Sequence, residues 1–272
     1  MPFNLILLVA SIQGVTEFLP VSSSGHLLLI PLISAHSYQG QTIDVAAHVG
    51  TLIALLVYLR RDIFHITAGI FGRTDSARQA LQRRLALMII GATIPVVLVG
   101  IVVNYADWHW LTLVTTLAWA NIAFAALLWA ADRFDERLHG LAKMRWSAAV
   151  GIGLMQICAL IPGASRSGVT MTAARFFGYD RLTAARFSLL LSLPAISGAG
   201  LLKTIDIIDN GDTQVGSDAA MVAVLSAIFA WLAIRVMMSW LARANFTIFV
   251  VYRLGLGMML LLGLQLGLIT TS

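Results

Sequence analysis

The most unusual stretch of this chain reads QGVTEFLPVSSSGH and runs from Gln13 to His26. It places an acid, three serines and a histidine within a sequence that is otherwise strongly apolar. An ionised side chain at the centre of a membrane helix costs about 2.5–3.5 kcal/mol on insertion scales. Such residues therefore occur mainly where they form ion pairs, face a water-filled cavity or serve a function. The polar residues of this stretch are therefore candidates for function if the chain lies in a membrane.

The composition is that of an integral membrane protein. Of the 272 residues, 59% are hydrophobic and 11% are charged, and the mean hydropathy is +0.86. Apolar runs of about 20 residues are long enough to cross a bilayer as helices, and they lack the alternation of barrel strands. We therefore expect an all-α membrane protein with a single membrane domain, residues 1–272. The net charge of +5 does not indicate nucleic-acid binding, because most basic residues lie in short loops between the runs.

Six runs are long enough to span the bilayer. They cover about 44–60, 85–104, 111–131, 182–202, 219–241 and 246–268. Most basic residues fall in the loops around 60–84 and 132–147 or at Arg243, whereas the loops at 106–110 and 203–218 hold few. Since basic loops stay in the cytoplasm, we place the loops at 60–84 and 132–147 and residue Arg243 on the cytoplasmic side. The loops at 106–110 and 203–218 then lie on the outer side.

Two further apolar stretches, residues 3–12 and 148–161, are too short to cross. Each holds about 10 to 14 apolar residues and then breaks at sequence rich in Pro, Gly and Ser. A short helix, a polar loop and a returning helix are typical of a re-entrant segment, which is tolerated at membrane depth only when it is buried in protein or lines a wet cavity. We predict one re-entrant helix-loop-helix segment at each stretch.

The two short segments resemble each other. Residues 22–25 read SSSG and residues 165–168 read SRSG, an offset of 143 that also aligns Gln13 with Gln156. Three predicted spans follow each copy, and an odd number of crossings inverts the second copy. The pattern predicts an inverted-topology repeat, with a first half of about 1–131 and a second of about 147–272, whose loops meet near the bilayer midplane. Two chance breaks in a helical bundle remain the alternative.

The second loop, PGASRSGVT, has the composition of a phosphate site. Its glycines let the backbone approach a ligand, its hydroxyls donate hydrogen bonds, and the planar Arg166 guanidinium can grip two phosphate oxygens. If a helix begins in this loop, the free N–H groups of its first turn can also bind the anion. The substrate-binding candidates in this loop are Gly163, Ser165, Ser167, Gly168 and Thr170. Helix capping is the alternative for Ser165, Ser167 and Thr170, and a cytoplasmic anchor is the alternative for Arg166.

The first loop adds groups that binding alone does not need. A serine hydroxyl becomes a good nucleophile when a base takes its proton, and His26 follows Ser22, Ser23 and Ser24 closely. Glu17 can orient the histidine, activate the nucleophile or hold a divalent cation. We expect Glu17 to lie beside the oppositely charged Arg166, either for catalysis or as a structural ion pair.

Further polar residues of the predicted spans suit supporting or anchoring roles. Asp44 and His48 are spaced i,i+4 on one helix face and can supply outer contacts to the site or to a metal. Arg253 and Arg235 lie near the predicted cytoplasmic ends of the last two spans, where an arginine commonly extends its head group toward water.

These motifs, together with the dipeptide Tyr252-Arg253, resemble the undecaprenyl-diphosphatase family, also called bacitracin resistance proteins. The resemblance covers essentially the whole chain. It implies hydrolysis of undecaprenyl diphosphate to undecaprenyl phosphate and inorganic phosphate, which recycles the lipid carrier for peptidoglycan and other envelope polymers. It also implies a bacterial inner-membrane protein whose site opens toward the periplasm, and a divalent cation, Mg2+ or Ca2+.

The resemblance carries family roles onto individual positions. It implies a catalytic histidine at His26, a nucleophilic serine at Ser23, a phosphate-gripping loop that includes Arg166, and an E/Q-x-x-x-E pattern at Gln13 and Glu17. Many relatives have glutamate where this chain has Gln13, so we assign the metal or basic role to Glu17. In this hypothesis Ser23 or a water attacks the terminal phosphorus with His26 as base.

A carrier is the alternative function. Inverted repeats with midplane loops also occur in secondary transporters, and a flippase for a phosphorylated polyprenyl lipid would need the same anion-binding loops. It would not need a set of serine, histidine and glutamate. The expected partners are a polyprenyl diphosphate lipid and the bilayer, with a homo-oligomer left open.

Overall fold

The computed structural model describes residues 1–33, 40–72, 76–105, 108–134, 136, 138–209 and 216–269. Within these residues the chain is helical and forms no β-strand. The α-helices are α1 (Phe3–Thr16), α2 (Ser23–Ile33), α3 (Gln41–Tyr58), α4 (Arg60–Phe71), α5 (Ala77–Tyr105), α6 (Val114–Ala131), α7 (Trp146–Gln156), α8 (Arg166–Phe176), α9 (Arg181–Asp209), α10 (Ser217–Leu241) and α11 (Thr247–Gln265). The expected all-α class is confirmed for this part of the chain.

Six of the described helices are long and apolar enough to cross a membrane, namely α3, α5, α6, α9, α10 and α11. Each coincides with one of the six predicted spans, which are thereby confirmed as candidate membrane helices. By contrast, α1 has 14 residues and α7 has 11, followed by a short 3-10 turn at Ile157–Leu160. At 1.5 Å per residue neither reaches the roughly 30 Å of a hydrocarbon core.

Two predicted loops are partly helical. The charge-rich segment around 60–84 contains α4, which packs so closely on the start of α5 that a Cβ on Gly69 would lie 2.6 Å from the Gln82 Cβ. The loop predicted at 203–218 is helical as far as Asp209. Helix α9 continues past its apolar run because residues 203–209 contain neither Gly nor Pro. Residues 106–107 and 210–215, which belong to the predicted outer loops, lie outside the described residues.

The segments around the two Ser-Gly motifs have matching bounds. Helices α2 and α8 each contain 11 residues and begin 143 residues apart. The residue before each of them, Ser22 and Ser165, has a positive φ, of 72° and 69°. These are the two non-glycine residues of the described chain in the left-handed region, which costs an L-residue roughly 1–2 kcal/mol. The equivalent buried amides Gln13 and Gln156 are both fully inaccessible.

Tight packing holds the first loop and the helix before it against neighbouring helices. Helix α1 lies against α10, where a Cβ on Gly14 would come within 2.5 Å of the Phe229 Cβ. In the following loop, Phe18 and Val21 belong to the same buried cluster as Met171 of α8. The loop of residues 17–22 is therefore packed directly against the helix that follows the second loop.

A buried polar cluster fixes the other end of α8. Arg175, with 1% of its side chain exposed, donates to the carbonyls of Asp132, Phe134 and Tyr179 at 2.8–3.0 Å, and its Nε lies 3.4 Å from the Asp132 carboxylate. The same carboxylate accepts from the Arg181 side chain at 2.7 Å. This cluster ties the end of α6 to the turn between α8 and α9, and so holds α8 in place from behind.

Candidate active site

The centre of the site is an ion pair between the two motifs. Arg166 Nη2 donates to Glu17 Oε1 at 2.5 Å, and Arg166 Nη1 donates to the Ser192 carbonyl at 3.2 Å. Only 6% of the Glu17 side chain and 17% of the Arg166 side chain are exposed. The neighbour of opposite sign that the sequence led us to expect is therefore present. Whether the pair is catalytic or structural depends on what surrounds it.

The other oxygen of Glu17 accepts two further donors. Ser23 Oγ donates to Oε2 at 2.5 Å, and Gln13 Nε2 donates to the same oxygen at 2.9 Å. Gln13 and Glu17 are one turn apart at the end of α1, which explains why their side chains meet, whereas Ser23 is the first residue of α2. A carboxylate that accepts from a guanidinium, a hydroxyl and an amide is held as the anion and oriented toward Ser23.

His26 has a different set of partners. Its Nδ1 lies 2.6 Å from the Ser22 carbonyl oxygen, and its Nε2 lies 2.5 Å from the Tyr252 hydroxyl. The two rings are nearly parallel, with centroids 5.7 Å apart and an interplanar angle of 10°. Both ring nitrogens are thus engaged away from Ser23. In the hypothesis from the sequence, His26 is the base that accepts the proton of Ser23. In the structure, the Ser23 hydroxyl is hydrogen bonded to Glu17 instead.

The phosphate-loop candidates surround the start of α8. Gly163 has φ +91°, and a Cβ there would lie 2.5 Å from the Leu117 carbonyl oxygen, so this turn requires glycine. Ser165 caps the helix, because its hydroxyl accepts from the Gly168 N–H at 3.1 Å. Ser167 donates to the Leu19 carbonyl at 2.7 Å and joins this helix to the first loop. The loop therefore presents Arg166 at the N-terminus of a helix.

The remaining hydroxyl candidates divide into buried and accessible groups. Thr170 is 1% exposed and donates to the Ser188 hydroxyl at 2.7 Å, which turns it toward α9. Ser22 is buried, with its hydroxyl 3.5 Å from that of Ser24, which is exposed. Among these three, Ser24 is the hydroxyl that a ligand reaches without displacing a helix contact.

His48 reaches the central carboxylate from α3. Its Nε2 lies 3.9 Å from Glu17 Oε2, while its Nδ1 donates to the Asp44 carbonyl at 2.7 Å. Asp44 is buried, with 7% exposure. The structure thus brings His48 to the site, and it is the backbone of Asp44 that orients the imidazole ring.

Arg253 is a site residue that the sequence interpretation missed. The prediction that it extends toward water is wrong, because the side chain is fully buried. Its Nη2 donates to the carbonyls of Gly163 and Ala164 at 2.8 and 2.9 Å, and its Nη1 lies 3.4 Å from the Pro20 carbonyl. One arginine thus links the two loops. The available signal was the apolar sequence on both sides of Arg253, since an ordinary interfacial anchor is flanked by polar sequence on one side.

Tyr252 is the second residue that the sequence interpretation missed. In the sequence interpretation, Tyr252 is used only as part of a motif that the chain shares with a family. In the structure, its hydroxyl is the partner of His26 Nε2. A contact across 226 residues leaves no local signal in one sequence. Together, Tyr252 and Arg253 bring one turn of α11 to both parts of the site.

The charges of this cluster suit an anion. Arg166 is balanced by Glu17, whereas the Arg253 guanidinium donates its hydrogen bonds to backbone carbonyls. The residues at the loops therefore carry an excess of positive charge behind the N-terminus of α8. Such an arrangement attracts phosphate oxygens.

The donor set accommodates a divalent cation only in part. No group of three or more His, Cys, Asp or Glu side chains in the described ranges can hold a metal ion. Glu17 is the carboxylate at the centre, and it already accepts from Arg166, Ser23 and Gln13. An ion held by protein ligands alone does not fit. Mg2+ usually keeps several waters and binds through one or two carboxylates plus substrate phosphates, and that mode does fit.

The chain is similar to known proteins along nearly its whole length. The family model described as "Bacitracin resistance protein BacA" matches residues 6–259. Two relatives named "Undecaprenyl-diphosphatase" are 44% identical over 260 residues (Ruegeria pomeroyi; 95% of this chain and 97% of the relative) and 45% identical over 258 residues (Alcanivorax borkumensis; 94% and 96%). A third, of the same name, from Maricaulis maris is 42% identical over 260 residues, covering 94% of this chain and 97% of the relative. Every site residue described above lies within the matched region.

Proposed function

The chain belongs to the bacitracin resistance protein BacA family and hydrolyses undecaprenyl diphosphate, and we propose that the Glu17–Arg166 pair marks its active site. The reaction releases undecaprenyl phosphate and inorganic phosphate. The observation that carries the site assignment is the linked series Arg166, Glu17 and Ser23, in which a phosphate-gripping cation, a base and a nucleophile are hydrogen bonded in order. A purely structural ion pair does not require the third member.

Arg166 is suited to bind the terminal phosphate. A guanidinium has five N–H donors, and Arg166 directs one nitrogen to Glu17 and another to the Ser192 carbonyl. The remaining donors, the N-terminus of α8 and the buried charge of Arg253 can neutralise the charge that spreads over the transferred oxygens. Positioning and charge stabilisation of this kind supply most of the catalytic gain in phosphoryl transfer.

In the first step, the Ser23 hydroxyl oxygen attacks the terminal phosphorus. As this bond forms, the proton of Ser23 passes to Glu17 Oε2, and the bond between the phosphorus and the bridging oxygen breaks. Undecaprenyl phosphate leaves with the bonding electrons, and a phosphoserine remains at position 23. Support comes from the hydrogen bond that already runs from Ser23 to Glu17.

In the second step, water attacks the phosphoserine. The water gives a proton to His26 Nε2, the bond between Ser23 and phosphorus breaks, and Glu17 returns its proton to the serine oxygen. Inorganic phosphate is released, and His26 loses the acquired proton to solvent. The contacts of the two groups support this assignment of two bases, because Glu17 contacts Ser23 and His26 does not.

A divalent cation has a defined place in this proposal. Glu17 would hold it together with the diphosphate oxygens, and the ion would supply further neutralisation of phosphate charge when bound. His48, 3.9 Å from the same carboxylate, is close enough to orient Glu17 or a water molecule beside it.

We also propose that the two halves form an inverted repeat with re-entrant segments. The matching bounds of α2 and α8, the positive φ of Ser22 and Ser165, and the equivalent buried glutamines support it. With the basic loops assigned to the cytoplasm, the paired loops of such a repeat would lie at mid-depth in the bacterial inner membrane, and the site would open to the periplasm. The alternative function, a carrier for the phosphorylated lipid, is supported only by the architecture that it shares with the proposed enzyme.

The proposal is tested by phosphate release from undecaprenyl diphosphate with purified protein in detergent. Glu17→Gln removes the base and keeps the shape of the side chain, so we expect turnover to fall at least about 100-fold. Asp218→Asn, which changes a carboxylate on α10 that pairs with the chain N-terminus, is the control and should retain activity. Wild-type rates in Glu17→Gln would refute the assignment of the base.

A further inference from the structure

We infer that Tyr252 is a positioning residue for His26, whose hydroxyl holds the imidazole ring in one orientation with Nε2 as its basic atom. The inference rests on the proposed function, because it concerns the base of the second step. The observation is the contact of 2.5 Å between the Tyr252 hydroxyl and His26 Nε2.

The partners of His26 determine its tautomer. The Ser22 carbonyl oxygen can only accept a hydrogen bond, so the 2.6 Å contact requires the proton on Nδ1. A neutral imidazole carries one N–H, which leaves a lone pair on Nε2. The phenol of Tyr252 must therefore be the donor in the second contact, as expected for a group whose ordinary pKa is about 10.

The position of Tyr252 is itself fixed from the buried side. Its neighbour Arg253 is fully inaccessible and donates to the carbonyls of Gly163 and Ala164, which locks this turn of α11 against the second loop. Tyr252 stands on the same turn with 47% of its surface exposed. A phenylalanine would fill that half-exposed position equally well, so packing does not explain the hydroxyl. The hydrogen bond to His26 does.

The consequence for the reaction is specific to the second step. The hydrogen bonds of Nδ1 to Ser22 and of Nε2 to Tyr252 fix the orientation of the ring and of the Nε2 lone pair. In the second step, the attacking water replaces the Tyr252 hydroxyl as the donor to Nε2. Without the hydroxyl, the ring keeps only its contact with the Ser22 carbonyl and can rotate, so that Nε2 no longer points in one direction. Binding of the diphosphate by Arg166 is unaffected, since Arg166 donates to Glu17 and Ser192 whereas His26 contacts Ser22 and Tyr252.

The test compares Tyr252→Phe with wild type and with Tyr58→Phe, a tyrosine on α3 outside the site. We expect Tyr252→Phe to lower kcat about tenfold, the effect of losing one hydrogen bond of ordinary strength, with KM changed less than about twofold. Tyr58→Phe should match wild type. In a His26→Ala background, Tyr252→Phe should have no further effect, because a residue that acts through His26 loses its influence with it.

A spectroscopic readout separates positioning from folding. In protein labelled with nitrogen-15 at histidine, and with the His26 signals identified by their loss in His26→Gln, wild type should show a protonated Nδ1 and a hydrogen-bonded Nε2. In Tyr252→Phe the Nε2 signal should move to the range of an unbonded ring nitrogen. An unchanged spectrum, or equal losses from Tyr252→Phe with and without His26, would overturn the inference.

Failure of this inference can be told from failure of the proposed function. If His26→Ala and Ser23→Ala lose turnover while Tyr252→Phe stays within about twofold of wild type, the inference alone is wrong. If His26→Ala itself retains wild-type turnover, the role proposed for His26 is wrong, and so is the positioning role of Tyr252.

Discussion

The Arg166 guanidinium contacts the Glu17 carboxylate at 2.5 Å across 149 residues of sequence. Each group offsets the cost of burying the other, and each retains a second task, since Glu17 also accepts from Ser23 and Arg166 has donors to spare for phosphate. The pair therefore joins the two loops, and in the proposed mechanism the same two residues take part in phosphoryl transfer.

Replacing Arg166 should remove the main phosphate contact. We expect Arg166→Ala to lower kcat/KM for undecaprenyl diphosphate by more than about 100-fold, the loss typical of one transition-state donor. Arg166→Lys should recover little of it, because an ammonium cannot reproduce the planar fork. Phosphate release is the measurement, and Arg235→Ala on an exposed position of α10 is the matched control. Turnover by Arg166→Ala at the control rate would contradict the role of this arginine.

Replacing Arg253 should separate the loops. In Arg253→Met the carbonyls of Gly163 and Ala164 lose their donor inside the protein, at a cost of roughly 1–3 kcal/mol. We expect a lower Tm in detergent together with at least about tenfold lower turnover, measured on the same preparation. A variant with reduced Tm and full activity per folded molecule would show that the link between the loops is not needed for catalysis.

The turn at Gly163 should reject a methyl group. Its φ of +91° is unfavourable for alanine, and the added Cβ would lie 2.5 Å from the Leu117 carbonyl. Gly163→Ala should therefore lower both Tm and turnover. Gly140→Ala is the control, because Gly140 also has a positive φ, of 82°, but no atom within 4 Å of its added Cβ. Equal effects of the two substitutions would mean that backbone strain alone, and not the close approach, matters at Gly163.

The cluster behind α8 should contribute stability. Breaking a buried ion pair by removing one partner typically costs about 3–5 kcal/mol, so Arg175→Ala should lower Tm substantially, on the order of 10 °C. Arg186→Ala removes an ion pair to Asp62 in which 51% of the arginine side chain is exposed, and it should change Tm little. Thermal unfolding of both variants in one detergent makes the comparison. Similar Tm values for the two would contradict this view of the buried cluster.

Cation binding should depend on the substrate phosphates. Because Glu17 is the carboxylate at the site and no three-ligand group is present among the described side chains, Mg2+ alone should bind weakly. Titration calorimetry should detect Mg2+ binding when a non-hydrolysable prenyl diphosphate analogue is present, and Glu17→Gln should abolish that binding. Tight Mg2+ binding to the protein without analogue would point to ligands other than those described.

The sequence predicted the features that follow from composition and charge. Six spans could be identified because apolar length is a direct consequence of bilayer thickness, and all six correspond to described helices. The contact between Glu17 and Arg166 could be expected because two opposite charges at membrane depth stabilise each other. Amphipathic α4 was not predicted, since its charged residues at 60–62 are typical of a loop and its helical stability comes from packing against α5.

The sequence could not predict which base each hydroxyl or ring contacts. Ser23 lies near both Glu17 and His26 along the chain, and only the direction in which α2 begins pairs it with Glu17. Tyr252 meets His26 from a helix more than 200 residues away, and Arg253 turns inward because two loops from distant segments offer it carbonyls. These contacts depend on how the helices pack, which one sequence does not specify.

The most direct test of the proposed site is to trap its intermediate. Undecaprenyl diphosphate labelled with phosphorus-32 in the terminal phosphate would be mixed with His26→Ala protein, in which we expect the second step to be slowed, and quenched in acid. Peptide mass spectrometry would then locate the label, with Ser23→Ala in the same background as the control. We predict a phosphorylated Ser23 that is absent in the control. Turnover of labelled substrate by Ser23→Ala at the wild-type rate, with no label on the protein, would contradict the proposed mechanism.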